Sequence, residues 1–581
     1  MSKTHTSNYY NDMKRNLFFL LFVCFSFAYG QIYSGGEGTL SNPFLISNLN
    51  DLRYLSEHKT HWSRFFLQTQ DIDASETITW NSGKGFSPIG SFNNEGSTFQ
   101  GSYDGGGKKI IGLYIKRPAE LGVGLFSKVW NIYEGGALKN IILEGGEITG
   151  GEYTGALVGE FLYGTVINCK SSVKITGTYK VGGLIGIVKG NNTNILKNCS
   201  ASGDVEGKYH SYTTNVGGLI GETNVEVTDS YATGNVILNI SNDSGYAGGL
   251  IGSAINITNC YATGNVTTSY GVNAGGLAGG SGGKVTNCYA TGNITGTSAG
   301  GLIGSFGGKI SGCYATGNVI GISFPSRSSV GGLIGYSLSS SLGTTTINLC
   351  YSTGDVSGDE AGGLIGGSKA YRTEISNCYS RSKVTSTVVI GGLAERISRG
   401  FIKNCYVTGE LKAAGPYVSI SGISNDVGSA SLNDLFWDLE TTKTNIGVTF
   451  LNYDGGRTTN QMKIQNTFKN WDFVNIWAIH PQINDGYPYL KLFAGGTLSS
   501  PEVELKNNII IYPTVTKGSV NIKSDRVIYQ YDIYDFSGRK MKDGNPDAKS
   551  FTLNLEYLTK GSYIIQLSDE KGITSKKIIK Q

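Results

Sequence analysis

Short apolar pieces separated by small polar residues run through most of this chain. The apolar pieces are three or so residues long: LIG, a β-branched residue near NCYA, then a lone Val or Ile. Each is bounded by Gly, Asn, Asp, Ser or Thr, the residues of tight turns. An amphipathic helix needs apolar positions at i, i+3 and i+4 sustained over ten or more residues, and no part of the repeat supplies them. Two adjacent glycines per unit would also cost a helix about 1–2 kcal/mol. The pattern predicts short strands between turns.

The pieces recur in a fixed order. Written from its leucine, GGLIG surrounds Leu184, Leu219, Leu250, Leu302, Leu333 and Leu364, with variants at Leu157 (GALVG), Leu277 (GGLAG) and Leu393 (GGLAE) and a weaker relative, GVGLF, at Leu125. A second phrase such as ITNCYATGNV follows each. Its cysteines are Cys169, Cys199, Cys260, Cys288, Cys313, Cys350, Cys378 and Cys405, with Ser230 in the same column and Ile141 one repeat before Cys169. The period is about 25 to 37 residues. One repeat then makes one coil of a right-handed parallel β-helix, about ten coils long, with coils ~4.8 Å apart and equivalent residues stacked. Leu and Ile fill the interior. The glycine pairs permit positive φ or a close backbone approach at a corner. The asparagines before the cysteines (Asn168, Asn198, Asn259, Asn287, Asn377, Asn404) form a column whose amides satisfy one another.

Eight cysteines outside the leader would suggest disulfides in a secreted chain. Here they are spaced by whole repeats. Stacked equivalents sit ~4.8 Å apart, whereas a disulfide needs Cβ atoms near ~3.8 Å. Ser230 shows that a small side chain is wanted. The expectation is a buried ladder of free thiols. Beside it run Tyr231, Tyr261, Tyr289, Tyr314, Tyr351, Tyr379 and Tyr406. Neighbours on a strand face opposite ways, so these tyrosines face outward. Two readings follow: a flat aromatic strip on which sugar rings stack, or a structural ladder partly covered by loops.

The ends differ from the middle. MKRNLFFLLFVCFSFAYG at 13–30 has a basic start, an apolar run and small residues before a cut between Gly30 and Gln31, so 1–30 reads as a secretory signal. Residues 31–120 read as an N-terminal cap, with a short helix over Asn50–Glu57 whose inner face is Leu52 and Leu55. The repeats occupy 121–430. Residues 431–493, with three of the six tryptophans, read as a C-terminal cap with a helix over Gln461–Asn470. A linker at 494–504 leads to 505–581, whose strand patterns suggest a small β-sandwich of about seven strands.

Composition narrows the function. Charged residues are 16% and net charge is +4, too little to imply a nucleic-acid partner. After the leader, no stretch has the ~20 apolar residues of a membrane helix. Asp71, Asp73 and Asp104 offer oxygen ligands for calcium, but not at EF-hand spacing, and turn chemistry accounts for them. Otherwise no cofactor is implied. Asp204, Asp355 and Glu410 share a column with Asn235, Asn265, Asn293 and Asn318, which marks turn residues rather than a catalytic set. No metal-ligand or nucleophile–base constellation stands out, and low charge with uniform repeats fits a scaffold better than an active site.

The GGLIG…NCYATGNV unit resembles the GLUG repeat of bacterial surface proteins. The tail resembles a type IX secretion C-terminal sorting domain, on IYP at 511–513 (Tyr512, Pro513), DIYDFSGRKM (Gly538), the run at 555–567 (Gly561, Tyr563) and the basic end (Lys576, Lys577). Tyr512-Pro513-Thr514-Val515 departs from that family's usual YPNP. The resemblance implies export to the cell surface or medium, with the secretion machinery as partner, and removal of the tail. GLUG repeats also appear in some adhesins and beside immunoglobulin-A peptidase domains, but His58 and His61 form HKTH and lack the glutamate of HExxH, so no zinc peptidase is expected. The function expected is adhesion or ligand display, toward glycans or host and matrix surfaces. The alternatives are a polysaccharide-active lyase or hydrolase, and a structural spacer.

Overall fold

The computed structural model describes residues 33–92, 98–130, 136–190, 194–208, 212–240, 245–323, 326–338 and 343–493, then 509–512, 515–516, 518–535, 539–559, 561–569 and 572–580. Gly30, Gln31 and the 494–504 linker lie outside them. The chain divides into two compact units, Met1–Leu498 and Ser499–Gln581.

The first unit is a parallel β-solenoid. Residues 284–308 show the plan of a coil. Strands Lys284–Thr286 and Tyr289–Ala290 lie on one face, Ile294–Gly296 and Ser298–Gly300 on a second, and Ile303–Phe306 on a third. Each pairs in parallel with its equivalent one coil on: Tyr289 with Tyr314, Ile294 with Val319, Gly300 with Gly331, Ile303 with Ile334. The third face stacks eleven strands. From Leu157 to Leu364 each leucine N–H of the GGLIG column donates to the next leucine carbonyl at 2.7–3.0 Å, and all these side chains are buried.

The corners explain the polar columns. A Cβ on Gly301 would lie 2.1 Å from the Gly332 carbonyl oxygen, and one on Gly292 would lie 1.9 Å from that of Gly264. These glycines therefore serve close approach between coils rather than positive φ. The left-handed conformation falls instead on the residue before each cysteine: Asn168, Asn198, Asn259, Asn287, Asn377 and Asn404 have φ of 51–57°. Asn and Gly tolerate that region; Leu349, at φ 55°, is the bulky exception in the column. The amides pair from coil to coil: Asn198 Nδ2 donates to Asn168 Oδ1 at 2.7 Å, and Asn287 Nδ2 to Asn259 Oδ1 at 3.2 Å.

The segment expected as an N-terminal cap contributes coils of its own. Phe44–Ile46, Phe65–Gln68, Ser102–Asp104 and Ala137–Lys139 pair in succession in the first-face sheet. The helix runs Leu49–Glu57, capped by the Asn48 side chain, and buries Leu52 and Leu55 in the solenoid core.

At the other end, Ser431–Asp438 pairs with Gly400–Val407 and extends the stack. The chain then folds back along the outside of the first face. The helix expected over Gln461–Asn470 is split into Thr459–Met462, with a Thr458/Gln461 capping box, and a 3-10 turn at Gln465–Thr467. Met462 and Phe468 both bury in one aromatic cluster. Six positions apart, they would face different sides of a continuous helix, so the break at Ile464 serves packing.

The second unit has a three-stranded antiparallel sheet (Ile510–Tyr512, Ser519–Ile528, Ala548–Asn554) and a five-stranded one. Its core includes Val520, Ile522, Ile533, Ile565, Leu567 and Ile578.

Candidate functional site

The cysteine column is structural. All eight described cysteines are free and buried. The left-handed residue before each cysteine turns the carbonyl two residues back toward the thiol, which donates to it: Cys288 Sγ to Thr286 O at 3.1 Å, Cys378 Sγ to Ser376 O at 3.0 Å. The sulfur in turn accepts the backbone N–H of the preceding coil, as from Cys260 to Cys288 at 3.5 Å. Ser230 does both with its hydroxyl, donating to Thr228 O at 2.7 Å and accepting from Cys199 N at 3.0 Å. From Ser230 to Cys313 the column thus uses a small side chain that both donates and accepts, which is why Ser substitutes. Burial pushes the Cys260, Cys288, Cys313, Cys350 and Cys378 thiols up.

The tyrosines form a continuous stack. Successive ring centroids from Tyr231 through Tyr261, Tyr289, Tyr314, Tyr351 and Tyr379 to Tyr406 lie 4.8–5.0 Å apart, with interplanar angles of 0–8°. Each interior ring thus spends both faces on its neighbours. Solvent meets edges and hydroxyls, so sugar rings cannot lie flat on these faces. The stack is also unequally open. Tyr231 to Tyr351 are half-buried, whereas Tyr379 and Tyr406 are buried. Burial raises Tyr261 and Tyr289 and pushes Tyr314 up to about 12.

The returning C-terminal segment covers the closed half. Phe493 meets Tyr314 and Tyr351 edge-on at 5.4 and 5.0 Å, and Trp477 lies 6.2 and 6.1 Å from Tyr379 and Tyr406. A polar latch fixes it. The Tyr406 hydroxyl donates to Pro488 O at 2.6 Å and accepts from Asn484 Nδ2 at 2.7 Å, while Arg381 donates to Asn484 Oδ1 at 2.7 Å and pairs with Asp485 at 2.5 Å.

The acidic candidates are used in turns. Asp204 Oδ1 accepts the Asn235 N–H at 2.8 Å, and the same bond repeats from Asn265, Asn293, Asn318 and Asp355 to the preceding coil at 2.9–3.1 Å. Glu410 pairs with Lys383 at 3.0 Å. Asp71 accepts from Lys109 N, Asp73 from Ser75 N, and Asp104 from Gly106 N and Asn140 Nδ2, each at 2.9 Å.

A different carboxylate stands apart. The last glycine of GGLIG and its variants, at Gly159, Gly186, Gly221, Gly252, Gly279, Gly304, Gly335 and Gly366, is replaced by Glu395 in GGLAE. Glu395 is only 5% exposed and has neither a hydrogen bond nor an ion pair among the described residues. It lines a cavity of about 430 Å³ with Tyr336, Glu360, Lys369 and Arg396. Burial pushes its carboxyl up to about 7; Glu360 and Asp426 add to the shift, and Arg396 opposes it. Sequence reasoning passed over this residue, although the break in the glycine column was its signal.

In the second unit Tyr512 ends the strand Ile510–Tyr512, opposite Asn521. Gly561 opens the strand Gly561–Asp569, and Tyr563 is buried with its hydroxyl donating to Thr559 O at 2.9 Å. Lys576 and Lys577 lie opposite Ile565 and Ile564 in the last strand. Pro513 and Gly538 lie outside the described residues.

Residues 510–581 match the secretion system C-terminal sorting domain, and 243–267 and 270–295 match the GLUG motif. Halomucin of Haloquadratum walsbyi is 36% identical over 177 residues, 30% of this chain and 2% of halomucin. A "Putative Gly-rich membrane protein" of Evansella cellulosilytica is 34% identical over 148 residues, 24% of this chain and 16% of that protein. The chain thus spans a small part of either relative. A crystal structure of a "putative immunoglobulin A1 protease" from Bacteroides ovatus aligns over 79% of this chain and 96% of its own, at 17% identity and a TM-score of 0.25. The sorting domain marks the chain for type IX secretion to the cell surface or the extracellular space.

Proposed function

We propose that this exported chain, a GLUG-repeat solenoid ending in a type IX sorting domain, is an adhesin or ligand-display scaffold whose outer columns bind glycans or matrix surfaces. The observation that carries the reading is the half-buried part of the tyrosine stack, Tyr231 to Tyr351, on an exported solenoid. Identical hydroxyl-bearing edges recur there at 4.8–5.0 Å. A rigid row of equal groups suits a repetitive partner, because each added contact is intramolecular once the first has formed.

The supporting contacts are hydrogen bonds from tyrosine hydroxyls rather than ring stacking, since the ring faces are occupied. The test is attachment of cells that lack this chain, compared with cells carrying it, to glycan- and matrix-coated surfaces. Attachment that depends on the chain is the expected result. Equal attachment of both across all coatings contradicts the proposal.

A further inference from the structure

Where Glu395 stands, eight other coils carry glycine. A largely buried side chain whose carboxyl oxygens open onto the groove and meet no protein partner among the described residues is a cost to the fold. Its surroundings suit a ligand. Arg327 and Arg396 stand at the rim, 3.7 Å from Glu360 and 3.2 Å from Asp426 respectively, and Lys369 lies 5.8 Å from the centre of the Tyr336 ring. A Cβ on Gly367 would come within 3.1 Å of that ring, so Tyr336 lies over the next coil and forms a wall. The lining carries Arg327, Lys369 and Arg396 against Glu360 and Glu395, and Asp426 pairs with Arg396 from beside it, so the site is neutral, or +1 once Glu395 is protonated, with Lys369 the base that no carboxylate pairs among the described residues.

We propose that the groove floored by Glu395 and walled by Tyr336 and Arg396 binds an anionic saccharide, a short uronate-bearing oligomer. The proposal rests on the reading that the chain displays a glycan-binding surface, and it gives that surface a second place, away from the tyrosine stack. The volume of about 430 Å³ falls in the range of small-molecule sites. The rim bases receive the ligand carboxylate. Protonated Glu395 donates to a ligand oxygen, and Ser298 and Ser329 supply hydroxyl partners. Ionised Glu395 adds a negative charge beside Glu360 and Asp426 and repels the same ligand, with Arg396 alone next to it in compensation. A second cavity, about 470 Å³, lies along the same sheet at Ser253, Gly280 and Ser305, the column that continues into Tyr336 and leaves room for further sugar units.

Calorimetric titration of the purified full chain with hexagalacturonate, and with its methyl ester, tests the site. The acid form binds at about pH 6, the ester binds at least tenfold more weakly, and affinity for the acid form falls roughly tenfold per pH unit above 7. Glu395→Gln keeps binding and loses that pH dependence. Glu395→Gly, the residue of the other coils, folds and binds more weakly. No binding of the acid form at about pH 6, equal binding of the ester, or an unchanged pH dependence in Glu395→Gln overturns the proposal. If the titration fails while chain-dependent cell attachment persists, the groove site falls and the surface-display reading stands. If both fail, both fall.

Discussion

The Cys288 backbone N–H donates to the sulfur of Cys313, one coil further on, at 3.3 Å. At this corner the left-handed residue takes the backbone out of the ladder, and the thiol supplies the missing bond. Cys313→Ser therefore changes stability little, because the hydroxyl makes both bonds at Ser230. Cys313→Ala leaves the Cys288 N–H buried and unpaired, at a cost of about 1–3 kcal/mol. Chemical denaturation of the three proteins checks the order; an alanine variant as stable as the serine one contradicts it.

The same ladder fixes the thiol chemistry. The eight described cysteines are free and buried, and burial holds six of the thiols up, Cys169, Cys260, Cys288, Cys313, Cys350 and Cys378, away from the reactive thiolate, while the hydrogen bond with Cys169 lowers Cys199. The native ladder should resist alkylation, and all eight of its thiols should titrate after unfolding without reductant. Fewer than two free thiols after unfolding would sink the ladder.

Tyrosine ionisation should follow burial along the stack. A hydroxyl raised in the fold stays neutral while the unfolded chain ionises at its ordinary value near 10. The Tyr314 contribution is thus complete below pH 10 and is lost as pH rises from 10 to about 12. Tyrosinate absorbance should rise in stages, with Tyr379 and Tyr406 ionising only on unfolding. A single step near pH 10 in folded protein contradicts the stack.

Trp477 holds the returning segment against Tyr379 and Tyr406, but its indole N–H has no partner among the described residues. Trp477→Ala should cost about 3–5 kcal/mol. Trp477→Phe should cost clearly less, since no hydrogen bond is lost with the nitrogen. Equal losses in thermal unfolding contradict the packing described.

Glu395 titrates from 4.5 in the unfolded chain to about 7 in the fold. Its raised value means that stability is complete below 4.5 and is lost as pH rises to 7. Against Glu395→Gln, the native protein should match at pH 4 and be weaker by on the order of 3 kcal/mol at pH 8. A stability difference that does not vary with pH contradicts the burial of this carboxyl.

Much of this architecture was legible because it repeats. The leucine, asparagine and cysteine columns announce themselves as recurring letters, and stacking turns each recurrence into a contact. Ser230 pointed to a small side chain, although only the geometry shows that it must also donate and accept. What does not repeat was harder to read. The fold-back of Trp471 and Trp477 over Tyr406 occurs once, and no period predicts that a terminal segment returns over the outer face. The N-terminal strands lack the GGLIG phrase and still stack, because register rests on backbone pairing rather than on the motif. Outward tyrosines were predicted by alternation, but the stacking angle, which removes ring faces from solvent, is a property of neighbouring coils.

The measurement that bears most directly on the central claim is retention of the purified full chain on an array of glycans and matrix proteins, with the Tyr289→Ala/Tyr314→Ala variant beside it. Retention of the parent, reduced in a variant whose circular dichroism is unchanged, is the result expected of a display surface along the tyrosine stack. No retention of the parent on any spot contradicts it.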